Sequence, residues 1–152
     1  MVSRRAFLRR LDVPAIESAI ARAEARTTGE IRVSIAGFFV GNGRRLAARA
    51  FRRLGMQATR HRNGVLLLIA PARRQFVVLG DEGIHGQVGD AFWADVAARL
   101  GGRFRERRFT DGVVEAIDAI GGALCRHFPA DASSNPNELP DAVDVPPPFS
   151  RG

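Results

Sequence analysis

The alternation of apolar and polar positions along the chain predicts a small domain in the order helix, strand, helix, strand, strand, helix, helix. The first helix is expected to begin after Asp12, whose carboxylate can accept backbone N–H groups at a helix start. Period-two alternation over residues 30–36 predicts a strand, which we extend toward Val40. Residues 65–70 are apolar throughout, a pattern typical of a central strand that is buried on both faces.

A second helix is predicted over residues 44–54, with arginines on its outer face and Gly55 as its C-terminal stop. Residues 76–79 form the third predicted strand. A short polar turn separates them from residues 65–70, so the two strands are expected to pair as a hairpin.

The last third of the predicted domain begins with a glycine-rich loop over residues 80–89. Asp90 is expected to cap the helix that follows this loop. The final helix is expected to start at Thr110 or Asp111 and to end at Phe128, because the next residue is a proline.

These elements indicate the α/β fold class. A strand–helix–strand unit favours a right-handed parallel crossover, so the first two strands are predicted to be parallel and the third antiparallel to the second. The result is a small mixed β-sheet with helices on both faces. The predicted organisation is a basic N-terminal arm at residues 1–11, the domain at 12–128, and an acidic, Pro-rich disordered tail at 129–152.

Charge is distributed unevenly along the chain. All 23 basic residues are arginines; residues 1–62 hold 14 of them against four acids, whereas residues 63–128 hold eight of each. A dipolar surface is expected. No stretch approaches the ~18 apolar residues of a membrane helix, and no apolar segment follows the N-terminal arginines as in a signal peptide. We therefore expect a soluble, cytoplasmic monomer, and the single Cys125 forms no internal disulfide.

Predicted topology gathers several oxygen-bearing side chains at one edge of the sheet. If the first two strands are parallel and the third pairs as a hairpin, both strand starts and the end of the third strand share that edge. The residues concerned are Glu30, Asn63, Asp81, Glu82 and Asp90. Carboxylate and amide oxygens suit Ca²⁺ or Mg²⁺, so these residues are the candidate ligands of a divalent cation. Solvated strand-end residues, and helix capping by Asp90, explain the same pattern without a metal.

Other chemistries receive less support from the sequence. The glycines of residues 80–89 match neither a dinucleotide-binding fingerprint nor a P-loop, so no organic cofactor is expected. His61, His85 and His127 are scattered, and no nucleophile elbow is present.

Four segments together resemble the TPM domain family. They are TGEIRV at residues 28–33, LGM at 54–56 with Thr59, RNGVLLLIAP at 62–71, and GDEGI at 80–84. The likeness covers about residues 12–128, and NELP at 137–140 looks like the compact soluble bacterial branch of the family.

The resemblance implies a three-layer α/β/α sandwich. In some members it implies divalent-cation binding, in some phosphatase activity, and in others an accessory role for membrane complexes. On this chain the cation and activity suggestions fall on Glu30, Asp81, Glu82 and Asp90.

Three functions remain open from the sequence. The leading one is a divalent-cation-binding accessory module for assembly or quality control of a membrane-associated complex. The second is a metal-dependent hydrolase of phosphate esters, in which Asp81 would ligate the metal or act as the general base. The third and weakest is nucleic-acid binding through the basic N-terminal half, for which the sequence shows neither exposed aromatic residues nor a recognition helix.

Overall fold

The computed structural model describes residues 3–130 and 141–147. Its elements are, in chain order, α1 (Arg4–Arg9), α2 (Val13–Glu24), β1 (Glu30–Ile35), α3 (Gly43–Arg53), β2 (Gly64–Ala70), β3 (Gln75–Gly80), α4 (Glu82–Arg105) and α5 (Phe109–His127). Single turns of 3₁₀ helix follow α3 and connect β2 to β3.

The three strands form one mixed sheet in the order β1-β2-β3. β1 runs parallel to β2 with Glu30 opposite Gly64, and β3 runs antiparallel to β2 with Gly80 opposite Val65. The predicted parallel crossover and the predicted hairpin are therefore both confirmed.

Helices cover both faces of this sheet, which confirms the α/β fold class. On one face, Val65 and Leu67 of β2 pack with the apolar residues of α2, α4 and α5. On the other face, Leu66 and Leu68 pack with α3 and the 3₁₀ turn that follows it. Since every residue of β2 is buried, this strand shows the continuous apolar run of a central strand rather than an alternation.

The predicted loop over residues 80–89 is wrong, because α4 already begins at Glu82. Asp81 caps this helix through its side chain, which accepts a hydrogen bond from the Glu82 N–H. Within α4, Gly89 alone leaves helical geometry (φ 76°, ψ 174°) and kinks the helix. Two glycines of this segment therefore have different roles. Gly89 forms the kink, and Gly83 lets α4 approach the preceding turn, because a Cβ on Gly83 would lie 2.2 Å from the His61 carbonyl oxygen. A helical segment does resume at Asp90 after the kink, close to the expected start, whereas residues 82–88 form a helical segment that the sequence did not predict.

Two N-terminal expectations also change. Residues 4–9 of the expected arm form α1, whose Phe7 is only 2% exposed and meets the rings of Phe104 and Phe109 at 5.9 and 5.2 Å. β1 ends at Ile35 and does not reach Val40, because the chain leaves the sheet and exposes Val40.

The expected tail is only partly described, since residues 131–140 and 148–152 lie outside the described residues. Residues 141–147 differ from the expectation because Asp144 docks on the outer edge of β1. Its backbone accepts from the Ile35 N–H and donates to the Val33 carbonyl, both at 2.8 Å. β1 pairs with β2 on one side only, so its outer N–H and C=O groups are available for this contact.

Helices α4 and α5 have the lengths that crossing a bilayer would require, but polar residues interrupt them. Across residues 3–130 and 141–147, no helix is both long and apolar enough to span a membrane.

Candidate functional site

One edge of the sheet, where β1 and β2 begin and β3 ends, carries the candidate residues; we call it the acidic edge. The Glu30 N–H donates to the Asn63 carbonyl at 3.4 Å, and the Asp81 N–H donates to the Gly64 carbonyl at 2.9 Å. Glu30 and Asp81 thus flank the start of β2, about two strand spacings or ~10 Å apart. The topology brings Glu30, Asn63 and Asp81 together, as the sequence predicts.

The carboxylate of Asp81 is already engaged by protein groups. Arg62 donates from Nε to Oδ2 at 2.8 Å and from Nη2 to Oδ1 at 3.0 Å, forming a bidentate ion pair. The Glu82 N–H donates to the same Oδ1 at 2.7 Å, which caps α4. Asp81 therefore joins the start of α4 to the turn before β2.

Glu82 and Asp90 do not join the carboxylate of Glu30. The side chain of Glu82 is 74% exposed and lies 3.4 Å from Nη1 of Arg62. Asp90 is farther along α4, beyond the kink, with a side chain that is 99% exposed and 3.6 Å from Nε2 of His85. Both are solvated carboxylates, so their predicted role as ligands gains no support from their positions.

Glu24, at the end of α2, contacts the carboxyl group of Glu30. Its side chain hydrogen-bonds the side chains of Glu30 and Asp141, and its Oε2 accepts from the Ile31 N–H at 2.7 Å. Glu24 is 5% exposed and Glu30 is 1% exposed. The acidic edge therefore contains a cluster of three carboxyl groups, the buried Glu24 and Glu30 and the half-buried Asp141, which we call the carboxyl cluster.

Burial is the largest cause of the raised pKa of Glu24. Loss of solvation, the hydrogen bonds from Asp141 and Glu30, and the charge of Glu30 raise the pKa of Glu24 from its ordinary 4.5 to about 11, against the opposing effect of the Ile31 N–H. The carboxyl group of Glu24 therefore keeps its proton at neutral pH.

Glu24 is not among the candidate residues that the sequence analysis singled out. A signal was present: Glu24 follows Ile16 and Ile20 at successive intervals of four residues, and both isoleucines are fully buried. Residues four apart share a helix face, so the burial of Glu24 follows from its position.

Two neutral oxygen groups near the acidic edge are buried. Asn63 is 0% exposed; its Nδ2 donates to Thr28 Oγ1 at 3.1 Å, while its Oδ1 has no hydrogen-bond partner in the described part of the chain. Thr59 is 4% exposed, and its Oγ1 likewise has no partner among residues 3–130 and 141–147. Buried oxygens without partners are rare and mark places where a water or an ion completes the structure.

A cation would meet both favourable and unfavourable groups here. Carboxylate, amide and hydroxyl oxygens are the donors that Ca²⁺ and Mg²⁺ prefer. Arg32, however, is 7% exposed on the same face of β1 as Glu30, two residues along the strand. No group of three His, Cys, Asp or Glu side chains within the described residues is already arranged around a metal position. The oxygen donors suit a hard divalent cation. The carboxyl groups of the cluster contact one another, however, and would have to separate to admit the ion.

Comparisons with known proteins agree with this fold. The family model described as the TPM domain matches residues 2–123. The NMR structure of the BA42 protein from the psychrophilic bacterium Bizionia argentinensis is similar, with 34% sequence identity and a TM-score of 0.82. That similarity covers 88% of this chain and 92% of the other. Among the curated proteins, none matches.

Proposed function

The chain belongs to the TPM domain family, and from this premise we propose that it binds a divalent cation at the carboxyl cluster and serves as an accessory module for a membrane-associated complex. The observation that carries the proposal is the buried contact between the carboxyl groups of Glu24 and Glu30. Two adjacent buried carboxyl groups require a counter-charge, which either a proton or a metal cation can supply.

The surrounding oxygens support a hard cation over a transition metal. Ca²⁺ takes six or more oxygen ligands, and carboxylates mix readily with neutral oxygens in such sites. Asn63 Oδ1 and Thr59 Oγ1 are neutral oxygens buried without a partner in the described chain. Glu24 and Glu30 would hold the ion, which would neutralise their charge.

An accessory role is supported by the arginines on the outer face of α3. Arg44, Arg45, Arg49 and Arg52 are all exposed. A concentrated positive face favours association with an acidic partner surface, and such association weakens as salt screens the charges.

The alternative of a phosphate-ester hydrolase receives less support from geometry. Asp81 would be its general base or metal ligand, yet both carboxylate oxygens of Asp81 already accept hydrogen bonds from Arg62 or from the start of α4. For nucleic-acid binding, the arginine face of α3 is the supporting feature, without a groove-binding element that would distinguish it from a protein contact.

Thermal unfolding in the presence of Ca²⁺, Mg²⁺ or Mn²⁺ tests the cation site. A ligand that binds only the native state raises Tm, and at one hundred times its Kd it adds about 2.7 kcal/mol, or roughly 5–11 °C for a chain of this length. We expect this shift in the wild-type protein and its loss in Glu30→Gln. Asp95→Asn, which changes an exposed carboxylate on α4, is the matched control and should keep the shift.

Two results would refute the cation site. One is a Tm shift that persists in Glu30→Gln and Glu24→Gln, and the other is the absence of a Tm shift with any of the three metals. Turnover of a generic phosphate ester that stops with chelator and with Asp81→Asn would favour the hydrolase.

The accessory role needs a separate test. A tagged protein should retain a partner from a membrane-containing extract at low salt, and Arg45→Glu with Arg52→Glu should abolish retention. Failure to retain a partner with the tag at either end would contradict this part of the proposal, whatever the cation result.

A further inference from the structure

An apolar cleft lies at the edge of the sheet opposite the acidic edge, where β2 ends and β3 begins. Its volume is about 830 Å³. Ile69 and Phe76 contribute from the sheet, α1 covers one side, and the ends of α4 and α5 cover the other. Pockets for whole small ligands typically measure about 300–1,000 Å³, so this cleft has the size of a molecule with a substantial apolar body.

Phenyl rings form the floor of this cleft. Phe7, Phe76, Phe104 and Phe109 all line it. Their rings contact one another in tilted or edge-to-face geometry, with centroids 5.2–5.9 Å apart. Phe7 is buried, but the other three are only half-buried. Apolar ring surface therefore remains in contact with solvent inside the cleft, and covering that surface would be favourable.

Arginines form the rim. Arg10, Arg74, Arg105 and Arg107 line the cleft, and all four are exposed. Elsewhere Arg62, Arg103 and Arg108 pair with carboxylates. The four rim arginines form no ion pair with any residue in 3–130 or 141–147, and no acidic residue lines the cleft. Four positive charges beside an apolar floor create a local site for an anion.

We propose that this cleft binds a free single-chain amphiphile with an anionic head group. The alkyl chain would cover the phenyl rings of the floor. The carboxylate or phosphate head would lie among the rim guanidinium groups, whose planar forks suit oxyanions. The proposal does not rest on the cation site, since the two sites lie at opposite edges of the sheet.

An alkyl chain fits the floor better than a nucleotide base does. A base carries polar edges that need hydrogen-bond partners when buried, and leaving them unpaired is costly. The cleft offers one amide side chain, Gln75, beside its aromatic and aliphatic groups. A small inorganic anion would use the rim but leave the phenyl rings exposed.

Calorimetric titration with dodecanoate below its micelle concentration tests the proposal. We expect dodecanoate to bind, dodecyltrimethylammonium to bind at least about tenfold more weakly, and acetate not to bind measurably. Equal binding of the cationic and anionic amphiphiles would refute the charge requirement. Preferential binding of adenosine monophosphate, or binding of phosphatidylglycerol vesicles without binding of free dodecanoate, would also overturn it in favour of a nucleotide or a membrane surface.

Two pairs of matched variants locate the binding. Arg10→Gln with Arg105→Gln should weaken dodecanoate binding at least about fivefold, whereas Arg22→Gln with Arg60→Gln removes two exposed charges elsewhere and should not. Gly101→Leu should block the cleft, because a Cβ there would lie 3.4 Å from the Phe76 ring. Gly122→Leu, on α5 where an added Cβ meets no atom within 4 Å, is its control. Equal affinities within either pair would refute the site, with circular dichroism verifying that each variant is folded.

Discussion

The carboxyl groups of Glu24 and Glu30 hydrogen-bond each other although they come from different elements, the end of α2 and the start of β1. Both residues are at least 95% buried. Because burial raises the pKa of Glu24, this group keeps its proton in the folded protein at a pH where the unfolded chain has lost it, so the stability of the fold depends on pH.

Glu24→Gln should remove much of this pH dependence. The raised pKa means that the folded protein keeps a proton on Glu24 up to about pH 11, whereas the unfolded chain loses it near the ordinary value of 4.5. The stabilising contribution of protonated Glu24 is therefore fully present below about pH 4.5 and is lost progressively as the pH rises toward 11. The slope is at most about 1.4 kcal/mol per pH unit.

Urea unfolding at pH 5, 7 and 9 in the presence of a chelator measures the effect. Glutamine keeps an acceptor for the Ile31 N–H and cannot ionise, so the variant should lose less stability than the wild type between pH 5 and pH 9. Exposed Glu106→Gln is the control and should follow the wild type. Parallel pH profiles for Glu24→Gln and the wild type would contradict the buried proton.

Asp144→Ala should release residues 141–147 from the outer edge of β1. Although burial raises the pKa of Asp144, hydrogen bonds from Arg53 and Ser34 together outweigh it and hold the pKa below its ordinary value. The bonds are short, at 2.7 Å from Arg53 Nη2 and 2.8 Å from Ser34 Oγ. Because the Arg53 side chain is 47% exposed, we expect a modest loss of about 1–2 kcal/mol.

Protease susceptibility and urea unfolding both report on this contact. Cleavage near residues 141–147 should accelerate in Asp144→Ala, and also in the wild type once the pH is far enough below the ordinary carboxyl pKa of 3.8 to protonate Asp144, whose pKa is lowered. Glu115→Gln, which breaks an exposed ion pair with Arg103, should change neither measurement appreciably. Unchanged proteolysis of Asp144→Ala would contradict this role of the side chain and show that the backbone hydrogen bonds alone hold residues 141–147 on β1.

Gly83→Ala should destabilise the protein by about 1–3 kcal/mol or more. The added Cβ would lie 2.2 Å from the His61 carbonyl oxygen and 2.6 Å from that of Arg62, and these backbone atoms cannot move without shifting the turn before β2. Chemical denaturation measures the loss.

Gly86→Ala provides the control one turn later in the same helix. A Cβ there meets no atom within 4 Å, so alanine should stabilise α4 by about 0.5–1 kcal/mol. Equal effects of the two substitutions would contradict the close packing of α4 on the preceding turn.

Phe7→Ala should cost about 3–5 kcal/mol, as expected for deletion of a buried ring. Phe7 is 2% exposed and contacts Phe104 and Phe109, so α1 belongs to the core. Leu8→Ala, which changes a partly buried neighbour, should cost less. If Phe7→Ala lowers the free energy of unfolding by no more than about 0.5 kcal/mol, α1 does not belong to the core and residues 1–11 are a loosely attached arm.

The sequence by itself determined the strands, their pairing and the edge at which Glu30, Asn63 and Asp81 meet. Periodicity reports which side of each element is apolar, and the crossover rule then leaves few arrangements for three strands. The sequence-based prediction failed for the first part of α4, which was expected to be a loop. Glycines that permit close packing look identical in sequence to glycines that break a helix.

Only the tertiary structure decided which polar groups are buried and with which partners. Glu24 is buried because the end of α2 lies over the free edge of β1, and Asp144 is held because that same edge offers unpaired backbone groups. The rim arginines of the cleft and Phe7 come from separate segments that α1, α4 and β3 bring together. Such contacts join residues distant along the chain, and local periodicity carries no information about partners that lie outside its own element.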